Sequence, residues 1–174
     1  MGPKTKKNLE EAFCGESKAR NKYTYYASVA RKAGYIQIAN IFEETADNEK
    51  EHAKLWAKAL GIVKDLPEDL KDAIEGELYE TNEMYPRMEK EAREEGEEEI
   101  AKLFKEVAEV EEKHARRYQK LLENLEKGEV FKRKEVKRWK CNNCGYIHEA
   151  KEAPEKCPAC SHPQGYFEIF VETY

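Results

Sequence analysis

Apolar residues recur every three or four positions along most of this chain, which is the spacing of an amphipathic α-helix. Glycines interrupt the pattern at Gly34, Gly61, Gly96 and Gly128. The pattern therefore predicts four helices, over residues 6–32, 36–60, 66–95 and 98–127. Gly34 and Gly96 stand in short connections, so the helices are expected to pair as two antiparallel hairpins.

The helical periodicity ends at Gly128, where the composition changes. A basic segment, residues 132–138, leads into a stretch rich in Cys, Pro, Gly and aromatic residues. We interpret the basic segment as a linker to a second, smaller domain. The predicted domains are an all-α four-helix bundle over residues 1–134 and a small metal-binding domain of strands and loops over residues 135–174.

Composition sets limits on the function of the chain. With 40% hydrophobic residues and a net charge of −5, its 174 residues suit a globular protein that has no electrostatic reason to bind nucleic acid. No apolar run approaches membrane-spanning length. The basic N-terminus precedes an amphipathic acidic helix rather than an apolar stretch, so it does not indicate a secretory signal. We therefore expect a cytoplasmic protein that associates with neither membrane nor nucleic acid.

Two copies of the motif Glu-x-x-His stand 62 residues apart, at Glu49 to His52 and at Glu111 to His114. Residues three apart lie on one face of a helix, so each motif offers a carboxylate and an imidazole to the same point. A single copy on a solvated helix face could arise by chance in so charged a chain. Packing residues repeat at the same offset, however, as in residues 38–42 and 100–104. We infer an internal duplication of a helical hairpin.

A Gly-Glu pair precedes each motif at nearly the same distance, which adds Glu16 and Glu77 to the set. Four helices that project a Glu, a second Glu and two Glu-x-x-His pairs into a bundle core form the di-iron pattern of ferritin-like proteins. The predicted fold class is therefore a ferritin-like four-helix bundle with a small C-terminal domain.

The duplication contains one irregularity. Glu16 and Tyr23 are seven residues apart, whereas Glu77 and Tyr85 are eight apart. An extra residue in a helix near a functional site is commonly absorbed as a single π-helical turn. We predict such a turn in the third helix, where it would reorient Glu80.

Two Cys-x-x-Cys pairs lie in the C-terminal segment. Cys141 and Cys144 form the first, and Cys157 and Cys160 the second. Four thiolates at this spacing suit zinc or a single iron, while a reducing compartment argues against disulfides. The fifth thiol, Cys14, lies two positions from Glu16 and so faces a different side of the helix. We expect it to be a buried small residue rather than a ligand.

Taken together, these motifs resemble those of the rubrerythrin family over nearly the whole chain. The resemblance includes residues 12–17, 47–53, 76–86 and 111–114, and the rubredoxin-like cysteine pairs. It implies a non-haem iron protein that reduces hydrogen peroxide to water as a defence against oxidative stress. The implied cofactors are two irons in the helices and one iron in the four-cysteine site, with zinc as a possible substitute.

The resemblance also implies roles for individual ligands. Glu49 and Glu111 would bridge the irons, Glu16, Glu77 and His114 would be terminal ligands, and His52 and Glu80 would exchange at one iron on reduction. Glu80 lies three residues after Glu77 and so shares its face, although an exposed helix face is the alternative. Tyr23 and Tyr85 lie about two turns beyond Glu16 and Glu77, so we predict hydrogen bonds from their hydroxyls to ligand carboxylates. Ordinary core packing is the other interpretation.

Two other functions remain open at this point. A ferroxidase or iron-handling protein of the ferritin type would use the same helical ligands. A zinc ribbon that recruits a protein partner would use the same cysteines. The red colour of an iron tetrathiolate would separate the iron site from a colourless zinc site.

The connection between the second and third helices bears on assembly. In a ferritin-like bundle these helices point the same way, so the chain must return about 27 Å, whereas six linker residues reach only about 20 Å. Exchange of hairpins between two chains would close the site, and a third helix that begins near Asp72 would allow an unswapped fold. We expect a homodimer with electron transfer between subunits. The implied redox partner is a rubredoxin or an NAD(P)H-dependent reductase.

Overall fold

The computed structural model describes residues 1–173. The chain divides into two compact units, the first ending at Asp65 and the second beginning at Leu66. Its helices are α1 (Pro3–Lys32), α2 (Ile36–Leu60), α3 (Leu66–Tyr79), α4 (Tyr85–Glu94) and α5 (Glu98–Glu126). Its strands are β1 (Lys132–Cys141), β2 (Ile147–Glu152) and β3 (Phe167–Ile169). None of the helices within residues 1–173 is long and apolar enough to span a membrane.

The first unit is a hairpin of α1 and α2. Gly34 adopts φ +85° in the three-residue connection, a left-handed conformation that glycine adopts without strain. Alanines fill the contact between the two helices, which lets the backbones approach closely. They are Ala27 on α1 and Ala39, Ala46, Ala53 and Ala57 on α2.

The alanine seam packs against α1, whereas Ile38 and Ile41 on α2 are 47% and 55% exposed. One expectation for this hairpin is corrected by the structure. Cys14, predicted to be buried, is exposed. Phe13, one position before the thiol, and Glu16, two positions after it, are half-buried, so Cys14 lies on the exposed side of α1.

The second unit begins with α3 and α4, which pack on α5. A π-helical turn, Glu80–Met84, joins α3 to α4, and the backbone N–H of Tyr85 donates to the carbonyl of Glu80 five residues earlier. This turn confirms the prediction from the one-residue irregularity in the repeat. It also places Glu80 at the first position of the changed backbone geometry.

The C-terminal part of the second unit is a three-stranded antiparallel sheet in the order β2-β1-β3. The segment predicted as a basic linker is in fact most of β1, since Lys132, Lys137 and Arg138 pair with residues of β2. Only the last residues of β1 are buried, and its first seven residues are mostly basic. The alternation of apolar and polar residues that would predict a strand is therefore missing from them. The predicted domain boundary at residue 134 therefore falls inside a strand.

The small domain has its own core. Its fully buried members are the Trp139 ring and the thiols of Cys141 and Cys157, and Ala153 and Phe167 pack beside them. The Trp139 indole N–H donates to the carbonyl of Ala150 at 3.0 Å, which satisfies the one polar atom of that ring. Two of the four cysteines are thus fixed by packing against an aromatic core.

Candidate metal centres

The α1–α2 hairpin brings together Glu16, Glu49 and His52, which we call the first triad. One potential ligand atom from each side chain lies within 4.8 Å of the others. His52 Nδ1 is 2.9 Å from Glu49 Oε2 and 3.9 Å from Glu16 Oε1. The helical spacing of Glu49 and His52 sets the first distance, and the packing of α1 on α2 sets the second.

The second unit repeats this arrangement with Glu77, Glu111 and His114, the second triad. These ligand atoms also lie within 4.8 Å of one another. His114 Nδ1 is 2.6 Å from Glu111 Oε2 and 3.5 Å from Glu77 Oε2. Both hairpins therefore present two carboxylates and one imidazole in the same relation, as the sequence duplication predicts.

The carboxylates of each triad are crowded enough to shift one another's protonation. The hydrogen bond with Glu49 raises the pKa of Glu16 above its usual 4.5, and the same hydrogen bond lowers the pKa of Glu49. Burial, followed by the hydrogen bond and charge of Glu111, raises the pKa of Glu77. A bound cation would relieve this crowding, because it attracts the charged form of every carboxylate.

We expect Glu77→Gln to stabilise the metal-free protein and to abolish its stabilisation by metal. The raised pKa means that ionised Glu77 is unfavourable in the folded chain, and this penalty sets in as the pH rises from 4.5 through the folded-state value. At pH 7 the metal-free variant should therefore melt at a higher temperature than the native chain. Below pH 4.5 the two should melt together. Equal melting at pH 7 would contradict the prediction.

Glu80 lies beside the second triad without joining it. Its side chain is half-buried at the start of the π-helical turn, and its negative charge is among the causes that raise the pKa of Glu77. The ligand atoms that cluster within 4.8 Å in the described residues do not include a Glu80 oxygen. Its part in metal binding stays a prediction.

The two predicted supporting tyrosines have different surroundings. Burial, and then the charges of Glu80 and Glu111, raise the pKa of Tyr85, so its hydroxyl lies near two carboxylates and keeps its proton at neutral pH. Tyr23 instead contacts aromatic rings, with its ring centroid 6.0 Å from that of Phe42. Neither hydroxyl makes a hydrogen bond to a triad carboxylate within residues 1–173, so both hydrogen bonds remain predictions.

The four predicted cysteines come together in the small domain. The Sγ atoms of Cys141 and Cys160 are 3.7 Å apart, as are those of Cys144 and Cys157. A tetrahedral ion with metal–sulfur bonds of about 2.3 Å separates its sulfurs by about 3.8 Å, so this spacing fits such an ion. The four residues therefore form a site of the size that a single iron or zinc requires.

Protons in the cysteine site are shared unequally. The backbone N–H of His162 is the main cause that lowers the pKa of Cys160 to about 6. The backbone N–H of Tyr146 lowers the pKa of Cys144. Hydrogen bonding to Cys160, burial and the other two thiols have the opposite effect and together raise the pKa of Cys144 to about 12. A metal ion must displace the remaining protons, so its affinity for this site should fall as the pH is lowered.

The structure identifies one further group that the sequence did not single out as functional. The Trp56 Nε1 atom is buried and makes no hydrogen bond within residues 1–173. Hydrogen bonding to Trp56 is also a minor cause that lowers the pKa of Glu16, after the larger effects of Glu49, burial and His52. The sequence does contain a feature that could have identified Trp56. It lies four residues after His52, which places its indole one turn further along the helix face that carries the ligands.

Two family models match the chain. One is described as "Rubrerythrin" and matches residues 7–122, and the other as "Rubrerythrin, rubredoxin-like domain" and matches residues 139–168. A rubrerythrin from Clostridium perfringens is 50% identical over 99% of this chain and 97% of that protein. Rubrerythrins from Porphyromonas gingivalis and Nitratidesulfovibrio vulgaris are 47% and 45% identical, over 99% and 97% of this chain and 93% and 95% of those proteins.

Proposed function

We propose that this chain, which belongs to the rubrerythrin family, reduces hydrogen peroxide to water at a di-iron centre held by its helices. Family membership confirms the predicted fold class, a ferritin-like helical region followed by a small rubredoxin-like domain. It also gives the chain a di-iron site of Glu and His groups and a four-cysteine site for one iron. The main support for peroxide reduction is the pair of matching triads together with an electron-carrying thiolate site in one chain.

The proposed centre combines the two triads with one further carboxylate. Its ligands would be Glu16, Glu49, His52, Glu77, Glu80, Glu111 and His114. Several carboxylates and two imidazoles are donors that suit iron in either oxidation state. When bound, two irons supply two electrons and polarise the O–O bond of peroxide. Glu80 in the π-helical turn and His52 are the pair that we propose exchange on reduction.

The side chains around the centre would orient the substrate and hold protons. Reduction of one hydrogen peroxide consumes two electrons and two protons and yields two water molecules. Tyr85 keeps its hydroxyl proton because burial and the charges of Glu80 and Glu111 raise its pKa. It can therefore donate a hydrogen bond to a ligand carboxylate or to a peroxide oxygen.

We expect Tyr85→Phe to lower peroxide turnover about tenfold, the lower end of the usual cost of losing a residue that supports a metal ligand. The variant keeps the ring that contacts Phe104, with centroids 6.0 Å apart, so the fold should be retained. Tyr79→Phe is the matched control, because Tyr79 is 51% exposed at the end of α3. Equal turnover for the two variants would favour a packing role for Tyr85.

Both hairpins leave apolar side chains exposed on the helix faces that carry their triads, which supports assembly of hairpin on hairpin. Ile41 on α2 and Leu103 on α5 are 55% and 58% exposed, on the helix faces that hold His52 and His114. Exposed apolar surface on the same helix face as an incomplete ligand set favours a covering partner. We propose a homodimer, with a mass near twice the 20.3 kDa of one chain.

The connection between the helices supports exchange of hairpins within this dimer. Helix α2 ends at Leu60 and α3 begins at Leu66, so the later start near Asp72 that would favour an unswapped fold is absent. Five linker residues reach about 20 Å at most, short of the return of about 27 Å. We propose that each di-iron centre takes one triad from each of two chains.

Complementation should test this exchange. A heterodimer of Glu16→Ala and Glu111→Ala chains should recover about half of the native activity, because one of its two centres receives both intact triads. A heterodimer of Glu16→Ala and Glu49→Ala chains is the control and should stay inactive, since both changes fall in the first triad. Inactivity of both heterodimers would indicate centres built within single chains.

The electron source that we propose is a rubredoxin or an NAD(P)H-dependent reductase, acting through the four-cysteine site. A reducing compartment keeps these four thiols available for iron, which supports a cytoplasmic location. An anaerobic assay with NADH, a reductase and rubredoxin tests the activity. One NADH should be oxidised for each peroxide consumed, because both reactions transfer two electrons. A ferroxidase would instead oxidise added ferrous iron without NADH.

A further inference from the structure

Trp56 lies on α2, one helical turn after His52, with its ring half-buried beside the first triad. Its Nε1 atom is the one buried side-chain nitrogen or oxygen without a hydrogen-bond partner in residues 1–173. Nearly all buried polar atoms in proteins are hydrogen-bonded, and an orphan calls for an explanation. Indole N–H is a donor only, so the missing partner must be an acceptor.

Glu16 is the acceptor for which the structure gives an interaction with Trp56. Its side chain is 29% exposed on α1, with Oε1 3.9 Å from His52 Nδ1. Hydrogen bonding to the Trp56 indole is one of the influences on this carboxylate, although the indole N–H makes no complete hydrogen bond.

We propose that Trp56 is a positioning residue for the metal centre, whose indole N–H donates to one carboxylate oxygen of Glu16 and leaves the other oxygen for the metal. A carboxylate held in this way binds a metal through one oxygen and in one orientation. Outer hydrogen bonds of this kind commonly fix metal-binding carboxylates. The inference rests on the proposed di-iron centre but not on its reaction with peroxide.

The second hairpin provides a natural comparison. Tyr118 occupies the position that corresponds to Trp56, four residues after His114. Tyr118 has no described hydrogen bond within residues 1–173, and it is not among the main influences on the pKa of Glu77. The proposed support is thus expected for Glu16 and not for Glu77.

The first test observes the indole proton directly in the metal-free full-length chain. With 15N-labelled tryptophan the protein gives two indole signals, from Trp56 and Trp139, because it has two tryptophans. Trp56→Phe assigns them, and Trp139 is the internal reference because it donates to Ala150. Glu16→Gln should shift the Trp56 signal, since an amide oxygen is a weaker acceptor than a carboxylate. Glu77→Gln, the matched change in the second triad, should leave it in place.

The second test measures metal affinity with cobalt(II) after zinc has filled the four-cysteine site. Trp56→Phe keeps an aromatic ring and removes the N–H, and it should weaken cobalt binding by the helices about tenfold. Tyr118→Phe should change the affinity less than about twofold, since no ligand contact is lost. The melting temperature of each metal-free variant shows whether a loss of affinity comes from a loss of fold.

The outcomes distinguish this inference from the proposed function. An unmoved Trp56 signal in Glu16→Gln, or equal cobalt affinity in Trp56→Phe and the native chain, would overturn the role of Trp56. A native chain whose helices bind no cobalt would overturn the di-iron centre, and the indole signal of the metal-free protein would still decide whether Trp56 donates to Glu16. A shift confined to Glu16→Gln together with a tenfold loss of affinity confined to Trp56→Phe would establish the inference.

Discussion

Replacing Glu111 with alanine should lower the rate of peroxide reduction by more than about 100-fold, beyond the usual cost of losing a group that merely supports a ligand. Glu111 Oε2 lies 2.6 Å from His114 Nδ1, and its side chain is 15% exposed, so the change removes a ligand and leaves an imidazole without its neighbour. Iron analysis should show loss of the helical iron, while the iron of the four-cysteine site is retained.

The matched control is Glu112→Ala, one position along α5. Glu112 forms a surface ion pair with Arg116 and lies outside the second triad. Exposed pairs of this kind contribute on the order of 1 kcal/mol or less, so iron content and turnover should stay near native values. If Glu111→Ala and Glu112→Ala kept equal iron and equal rates, the second triad would not be a metal site.

The second large effect is expected for Cys157→Ser. Cys157 is buried in the small-domain core, and its Sγ lies 3.7 Å from that of Cys144. Loss of one thiolate should remove the iron and its red colour, and turnover driven by NADH through a reductase should fall by about two orders of magnitude. Protein that is reduced chemically should still consume peroxide, because the helical ligands are untouched.

Cys14→Ser is the control for this experiment, since Cys14 is exposed on α1 and outside every described ligand cluster. It should keep both colour and turnover. Continued NADH-driven turnover in Cys157→Ser would show that electrons enter without the four-cysteine site. Mixing Cys157→Ser chains with Glu111→Ala chains tests whether electrons cross between subunits, and transfer between chains predicts partial recovery.

Much of the architecture could be predicted because the spacing of apolar residues and glycines along the chain determines where the helices begin and end. The helix ends follow from glycines such as Gly34, which sits at φ +85° between α1 and α2. The π-helical turn at Glu80 followed from one extra residue between Glu77 and Tyr85, since a helix absorbs an insertion without losing its packing face on either side. The Glu-x-x-His pairs came from spacing, because residues three apart share a helix face, and Glu16 and Glu77 came from the Gly-Glu pair that precedes each of them.

Features that depend on tertiary packing were less accessible. The strand β1 was hidden because its basic side chains face solvent, and only its pairing with β2 and β3 defines it. Periodicity marked Ile41 as apolar but could not show which apolar stripe packs within the hairpin. Trp56 lay on the ligand face by spacing, yet only coordinates show that its N–H is buried without a partner.

The central claim is that the two triads form one peroxide-reducing di-iron centre that the four-cysteine site supplies with electrons. An anaerobic single-turnover experiment, in which fully reduced protein is mixed with one hydrogen peroxide per centre, tests it most directly. The account predicts complete consumption of peroxide and two electrons lost per centre, followed by return of the red colour as the four-cysteine iron is oxidised. Peroxide that persists while the protein stays reduced, in a chain shown to hold iron in its helices, would contradict it.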